Sequence, residues 1–79
     1  MKLNQHKLIS IISIALDSDS ITLESTINNT EGWDSLTQLS ILTELDDALD
    51  GKVTDIKGIA DVESVEQIIN LLRENALFE

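Results

Sequence analysis

The chain has 79 residues, of which 42% are hydrophobic, 25% are charged and 3% are aromatic. This length predicts a single domain over residues 1–79, because a domain takes roughly 100–200 residues. Fifteen acidic against five basic side chains give a net charge of −10, which argues against nucleic acid and anionic membranes as partners, because both bind basic surfaces.

The first predicted helix runs from about Asn4 to Leu16. Its apolar residues recur at spacings of three and four and so share one face: Leu8, Ile11, Ile12, Ala15 and Leu16. Ile9 and Ile14 widen this stripe and predict burial on more than one side. The segment lacks the cleavage site of a signal peptide, so we expect a cytoplasmic protein. No stretch approaches the roughly 20 apolar residues of a membrane span.

A long loop is predicted between the first two helices. The alternation from Ile21 to Glu24 could form a strand, but no partner strand follows, so we predict an ordered loop pinned by Ile21, Leu23 and Ile27. The acids of the 17–20 segment resemble the start of a calcium loop. Ile21 and Thr22 stand where such a loop needs Asp or Asn and then Gly, so we predict no metal site.

The second predicted helix begins after Asp34, a good N-cap residue, and ends before Gly51, which fits a left-handed C-terminal cap. Apolar residues recur through it at spacings of three and four, with Ile41 alongside: Leu36, Leu39, Leu42, Leu45 and Leu49. We expect the last four of these leucines to pack against Leu8, Ile12, Ile68 and Leu72. Leu36 is expected to be partly exposed.

The remaining predicted elements are a short helical turn from Asp55 to Ile59 and a last helix from Ser64. The residues Ser64-Val65-Glu66-Gln67 form a capping-box pattern. The apolar face of the last helix is predicted to comprise Val65, Ile68, Ile69 and Leu72. The sequence therefore predicts an all-α fold: a bundle of three main helices plus one short helix, with a long loop between helices 1 and 2.

No set of residues suited to ordinary enzyme catalysis is evident. The chain has no cysteine, which excludes disulfides and thiolate metal sites, and it has one histidine, His6, which we predict to be exposed. The neighbouring carboxylates Asp46 and Asp47 point in different directions on a helix. We therefore predict that the chain is not an enzyme.

The best candidate for chemistry is the segment Gly32–Leu36 at the start of the second helix. A helix N-terminus has unpaired N–H groups and a partial positive charge, so an exposed Ser35 could hold a phosphodiester there. Asp34 would cap the helix and place a carboxylate beside the serine. Alternatively, Asp34 and Ser35 are only an N-cap and a tolerated first-turn residue. Trp33 is either a loop residue packed on the core or a contact beside whatever group Ser35 holds.

The tripeptide Asp34-Ser35-Leu36 resembles the Asp-Ser-Leu motif of the acyl carrier protein family, which includes related peptidyl carrier domains. The size, the acidity, the long first loop, the acidic and leucine-rich second helix and the Ser-capped last helix are similar along nearly the whole chain. The Asp61–Val65 segment also resembles the family's entry to its last helix. The resemblance implies an acyl-carrier-like bundle and a single carrier domain.

For function, the resemblance implies that Ser35 carries 4′-phosphopantetheine, transferred from coenzyme A by a separate phosphopantetheinyl transferase, with Asp34 and Leu36 flanking the site. The arm would hold acyl or aminoacyl groups as thioesters, and in this family an acyl chain can enter between the helices. The implied partners are acyl-loading and acyl-transfer enzymes with basic patches, which would meet Leu36, Asp46, Asp47 and Asp55. We expect a monomer.

The chain departs from carriers of primary fatty acid synthesis around the serine. Thr37, Gln38 and Ser40 stand where those carriers usually have acids, and Glu31 stands where many relatives have an apolar residue. These departures predict a carrier dedicated to another biosynthetic pathway. The alternative hypothesis is an acidic helical interaction module without a prosthetic group, which binds a basic partner through its second helix.

Overall fold

The computed structural model describes residues 2–79; Met1, the first residue of the predicted domain, lies outside the described residues. The elements are α1 (Gln5–Leu16), α2 (Ser35–Ala48), a 3-10 helix (Ile59–Asp61) and α3 (Val65–Glu74). Residues 2–79 contain no strand and only isolated β-bridges. The predicted all-α fold with three main helices and one short helix is confirmed. Within the same residues, every helix is too short or too polar to span a membrane.

Helix α1 begins and ends where local chemistry predicts. The Asn4 side chain accepts a hydrogen bond from the Lys7 amide at 2.8 Å, and Asp17 ends the helix in the left-handed region with φ 52°. The buried residues are Leu8, Ile11, Ile12 and Leu16. The prediction of burial on more than one side is wrong for Ile14, which is 70% exposed, because the rest of the chain covers only one face of α1.

Helix α2 buries Leu45 and Leu49 as predicted, and Leu42 packs partly buried against the core, but the first half of the predicted leucine stripe is not the inner face. Its buried residues are Gln38, Ile41 and Leu45, followed by the fully buried Leu49 at the C-cap. The predicted inner residue Leu39 is 62% exposed, which corrects the sequence-based assignment, and Leu42 is half-buried. Adjacent helical residues lie about 100° apart, so inclusion of Gln38 in the inner stripe turns Leu39 outward.

The segment after α2 is held by its own hydrogen bonds. Asp50 and Gly51 both have positive φ, and the Gly51 amide donates to the Asp46 carbonyl at 2.8 Å. This bond gives the six-to-one pattern of a Schellman cap, with Asp50 as the left-handed residue and Gly51 following it. The predicted helix over 55–59 is displaced: turns and a bend occupy 54–58, and the 3-10 helix begins only after Gly58, whose φ is 87°.

Helix α3 has the predicted start and the predicted apolar face. The Ser64 Oγ accepts a hydrogen bond from the Gln67 amide at 3.1 Å. The Gln67 side chain accepts a hydrogen bond from the Glu63 amide at 2.7 Å. In a capping box it would accept this bond from the Ser64 amide, so only the Ser64 half of the predicted box is formed. All four predicted face residues are buried: Val65, Ile68, Ile69 and Leu72.

The two ends of the described chain are paired with each other. The Leu3 amide donates to the Leu77 carbonyl at 2.9 Å, and the Glu79 amide donates to the Leu3 carbonyl at 2.8 Å. Leu3, Leu77 and Phe78 are buried in the same core as the helices. This contact therefore adds side chains from both ends of the described chain to a core that the sequence-based prediction assigned to helices and the first loop.

The first loop is ordered and tied to the start of α3. The Val65 amide donates to the Ser25 carbonyl at 3.0 Å, and the Ile27 amide donates to the Glu63 carbonyl at 2.8 Å. Ile21 is buried, whereas Leu23, predicted to pin the loop, is 37% exposed. The loop thus crosses to the α3 side of the molecule before it returns to α2.

Candidate functional site

The turn at the start of α2 is held by hydrogen bonds in both directions between Asp34 and Thr37. Asp34 Oδ1 accepts hydrogen bonds from the Leu36 and Thr37 amides, both at 3.0 Å. In return, the Asp34 amide donates to Thr37 Oγ1 at 2.8 Å, and that hydroxyl donates to the Gly32 carbonyl at 2.6 Å. The capping box joins the loop before Ser35 to the helix after it. The position of Ser35 is therefore set by bonds on both sides.

These bonds keep the Asp34 carboxyl ionised. The hydrogen bond from the Thr37 amide is the main cause that lowers the pKa of Asp34 below its ordinary 3.8; desolvation opposes this, and the Leu36 amide adds to it. The Leu36 and Thr37 amides, which could have bound a phosphodiester, thus donate their hydrogen bonds to Asp34. Asp34 fixes the turn and places a negative charge beside Ser35, so the helix terminus does not bind an anion through these two amides.

Ser35 is the first residue of α2 and is exposed. Beside it lies an open depression of about 370 Å³, lined by Ile27, Gln38 and the 60–63 segment. A wider open depression of about 700 Å³ lies along the first loop between Leu16 and Gly32 and does not include Ser35. Ser35 is therefore accessible from solvent and borders a surface on which an attached group could lie.

A buried glutamine connects the site to the rest of the fold. Trp33 Nε1 donates to Gln38 Oε1 at 2.6 Å, and Gln38 Nε2 donates to the Val62 carbonyl at 2.8 Å. Trp33 is 4% exposed and Gln38 is 9% exposed. The structure thus supports Trp33 as a loop residue packed on the core. Sequence reasoning missed Gln38; the available signal was its position three and seven residues before Ile41 and Leu45.

The predicted partner-binding residues have different environments. Leu36 is 77% exposed next to Ser35, and the exposed Leu39 follows it by one helical turn. Asp47 and Asp55 are exposed. Asp46 is half-buried, and its Oδ1 accepts from the amides of residues 53 and 54 at 3.1 and 3.3 Å. Asp46 therefore closes the loop after α2, a role that its sequence context did not predict.

Among residues 2–79, the other titratable groups form no second candidate site. His6 is exposed, as predicted. Over residues 2–79, no group of three or more His, Cys, Asp or Glu side chains is arranged to hold a metal ion. Comparison of the chain with protein-family models, curated proteins and solved structures finds no match.

Proposed function

We propose that this chain is an acyl carrier protein: a cytoplasmic, non-catalytic carrier domain with 4′-phosphopantetheine on Ser35. The observation that carries the proposal is the exposed Ser35 at the first position of α2, in a turn fixed by Asp34 and Thr37. The element order supports an acyl-carrier-like bundle, with a long loop before α2 and a short helix before α3. This order agrees with the resemblance carried by Asp34-Ser35-Leu36.

The residues around Ser35 fit such a group. The open depression beside Ser35 leaves room for an arm, and the exposed surroundings leave room for a modifying enzyme. Attachment forms a bond from Ser35 Oγ to phosphorus and breaks the pyrophosphate link of coenzyme A. The hydroxyl proton passes to the transferase, and adenosine 3′,5′-bisphosphate leaves. When bound, the arm supplies a thiol that can hold an acyl group as a thioester, which this cysteine-free chain otherwise lacks.

The exposed residues along α2 and the loop after it offer a surface for partner enzymes. Leu36 and Leu39 are exposed apolar side chains at helical spacing, in a chain with a net charge of −10. Asp47 and Asp55 are exposed carboxylates that could meet basic patches. We propose that acyl-loading and acyl-transfer enzymes of a pathway other than primary fatty acid synthesis dock here. Asp46 would contribute less than its neighbours, because its Oδ1 already accepts two backbone hydrogen bonds.

The test is the intact mass after incubation with coenzyme A, magnesium and a broad-specificity phosphopantetheinyl transferase. The wild-type chain should gain the mass of one phosphopantetheinyl group. Ser35→Ala should gain nothing, while Ser40→Ala, at another exposed serine of the same helix, should gain as the wild type does. Circular dichroism checks that both variants are folded. Unchanged mass with several transferases, or equal modification of Ser35→Ala, would refute the proposal.

A second candidate function is favoured by the exposed Leu36 and Leu39: an acidic interaction module without a prosthetic group. Two exposed leucines one turn apart give α2 an apolar strip that a partner protein could cover. In that case, capture of a basic partner enzyme would be unaffected by Ser35→Ala and weakened by Asp47→Lys and Asp55→Lys. If the chain is a carrier, Ser35→Ala should abolish the acyl transfer that depends on phosphopantetheine, whether or not the variant still binds the partner enzyme.

A further inference from the structure

We propose, on the basis of the carrier function above, that this chain holds its cargo outside the helical core and is built for short or polar acyl groups. This departs from what the family resemblance implies, namely that an acyl chain can enter between the helices. The argument rests on what lies between Ser35 and the core. Two features of the structure carry it: a hydrogen-bonded barrier at Gln38 and the packing behind that barrier.

The barrier is formed by the most buried residues of the depression that contains Ser35. Gln38 and Val62 are 9% and 3% exposed, so they form its floor. The Gln38 amide donates across the floor to the Val62 carbonyl at 2.8 Å, and its oxygen accepts from Trp33 Nε1 at 2.6 Å. An alkyl chain passing inward would separate these groups and leave them without partners in an apolar environment, which is unfavourable.

Behind the barrier, the core is filled by aliphatic side chains. Nine of them have under 2% exposure: Leu8, Ile12, Ile41, Leu45, Leu49, Val53, Val65, Ile68 and Leu72. None of these nine lines the depression beside Ser35. Entry of a chain would therefore require displacement of close-packed side chains as well as loss of the Gln38 bonds.

The substrate class follows from this exclusion. A long alkyl group left in water exposes apolar surface and promotes association, whereas a short or polar acyl group does not. The surface beside Ser35 also carries exposed carboxylates at Asp61 and Glu63. These carboxylates disfavour a long alkyl chain along the depression. Short or polar acyl groups, including aminoacyl groups, are the cargo that this surface can hold without burial.

The experiment attaches acetyl, octanoyl and dodecanoyl pantetheine arms to Ser35 with a transferase and confirms each product by intact mass. Nuclear Overhauser contacts are then sought between the acyl chain and the methyl groups of Ile41 and Leu45. Trp33, the only tryptophan, reports on the barrier by its fluorescence. We expect no contacts to these methyl groups and the same Trp33 emission for all three acyl groups. Contacts from the dodecanoyl chain to Ile41 or Leu45 would overturn the inference.

A chemical route separates this inference from the carrier proposal. Because the chain has no cysteine, Ser35→Cys creates one attachment point for an alkyl maleimide series without any transferase. Ser40→Cys, exposed on the same helix and not lining the depression, is the matched control. Chain-length-dependent contacts to core methyl groups from position 35 alone would overturn the inference. An unmodified Ser35 in the transferase reaction would refute the carrier proposal only.

Discussion

Replacement of Gln38 by leucine is expected to destabilise the fold strongly, although leucine is the more apolar residue. The substitution leaves two groups without their partner, Trp33 Nε1 and the Val62 carbonyl, which Gln38 contacts at 2.6 and 2.8 Å. A buried polar group without a partner costs about 1–3 kcal/mol. Two such groups cost about 2–6 kcal/mol together and the apolar gain of leucine offsets about 2 kcal/mol, so from the middle of this range we expect a net loss of about 2 kcal/mol. The free energy of unfolding of natural domains is about 5–15 kcal/mol, so this loss is a large fraction of it.

Urea unfolding followed by circular dichroism measures the loss as a lower midpoint with an unchanged slope. The matched control is Gln67→Leu: this exposed glutamine accepts one hydrogen bond from Glu63, so we expect a loss of at most about 1.5 kcal/mol. Trp33→Phe and the double variant complete a cycle, with an expected coupling of about 1 kcal/mol. A loss below about 0.5 kcal/mol for Gln38→Leu, together with a double variant in which the effects of Gln38→Leu and Trp33→Phe simply add, would refute the reasoning.

Three further predictions test other parts of the structure. Leu45→Ala should cost about 2–5 kcal/mol in urea unfolding because Leu45 is fully buried, whereas Leu39→Ala should cost under about 0.5 kcal/mol; equal costs would contradict the observed orientation of α2. Hydrogen bonds lower the pKa of Asp34 below 3.8, so its stabilising effect is complete above that pH and is lost as pH falls through the lower folded-state pKa. Asp34→Asn, which still caps, should therefore show a smaller drop in melting temperature on acidification than the wild type. Asp46→Ala should cost about 1–3 kcal/mol and speed hydrogen exchange of the two amides it accepts, unlike the exposed Asp47→Ala, which should stay within about 0.5 kcal/mol.

The sequence by itself determined where each main helix begins. Asn4, Asp34 and Ser64 each accept a hydrogen bond from an amide three residues later, as their positions predict. Such a cap involves only a few consecutive residues, so a local pattern contains all the information that it needs. The apolar face of α3 was predictable for a related reason, because its buried residues recur at helical spacing on one side and its polar residues lie on the other.

Only the tertiary structure decided which side of α2 faces inward. This helix has apolar residues on most of its faces, so periodicity allowed the leucine stripe through Leu39 as well as the observed stripe through Gln38 and Ile41. In the observed orientation Gln38 donates to the Val62 carbonyl, which is 24 residues away in sequence. Pairing of Leu3 with the C-terminal segment depends on residues still further apart. Such contacts join distant parts of the chain, and no local pattern of residue types encodes them.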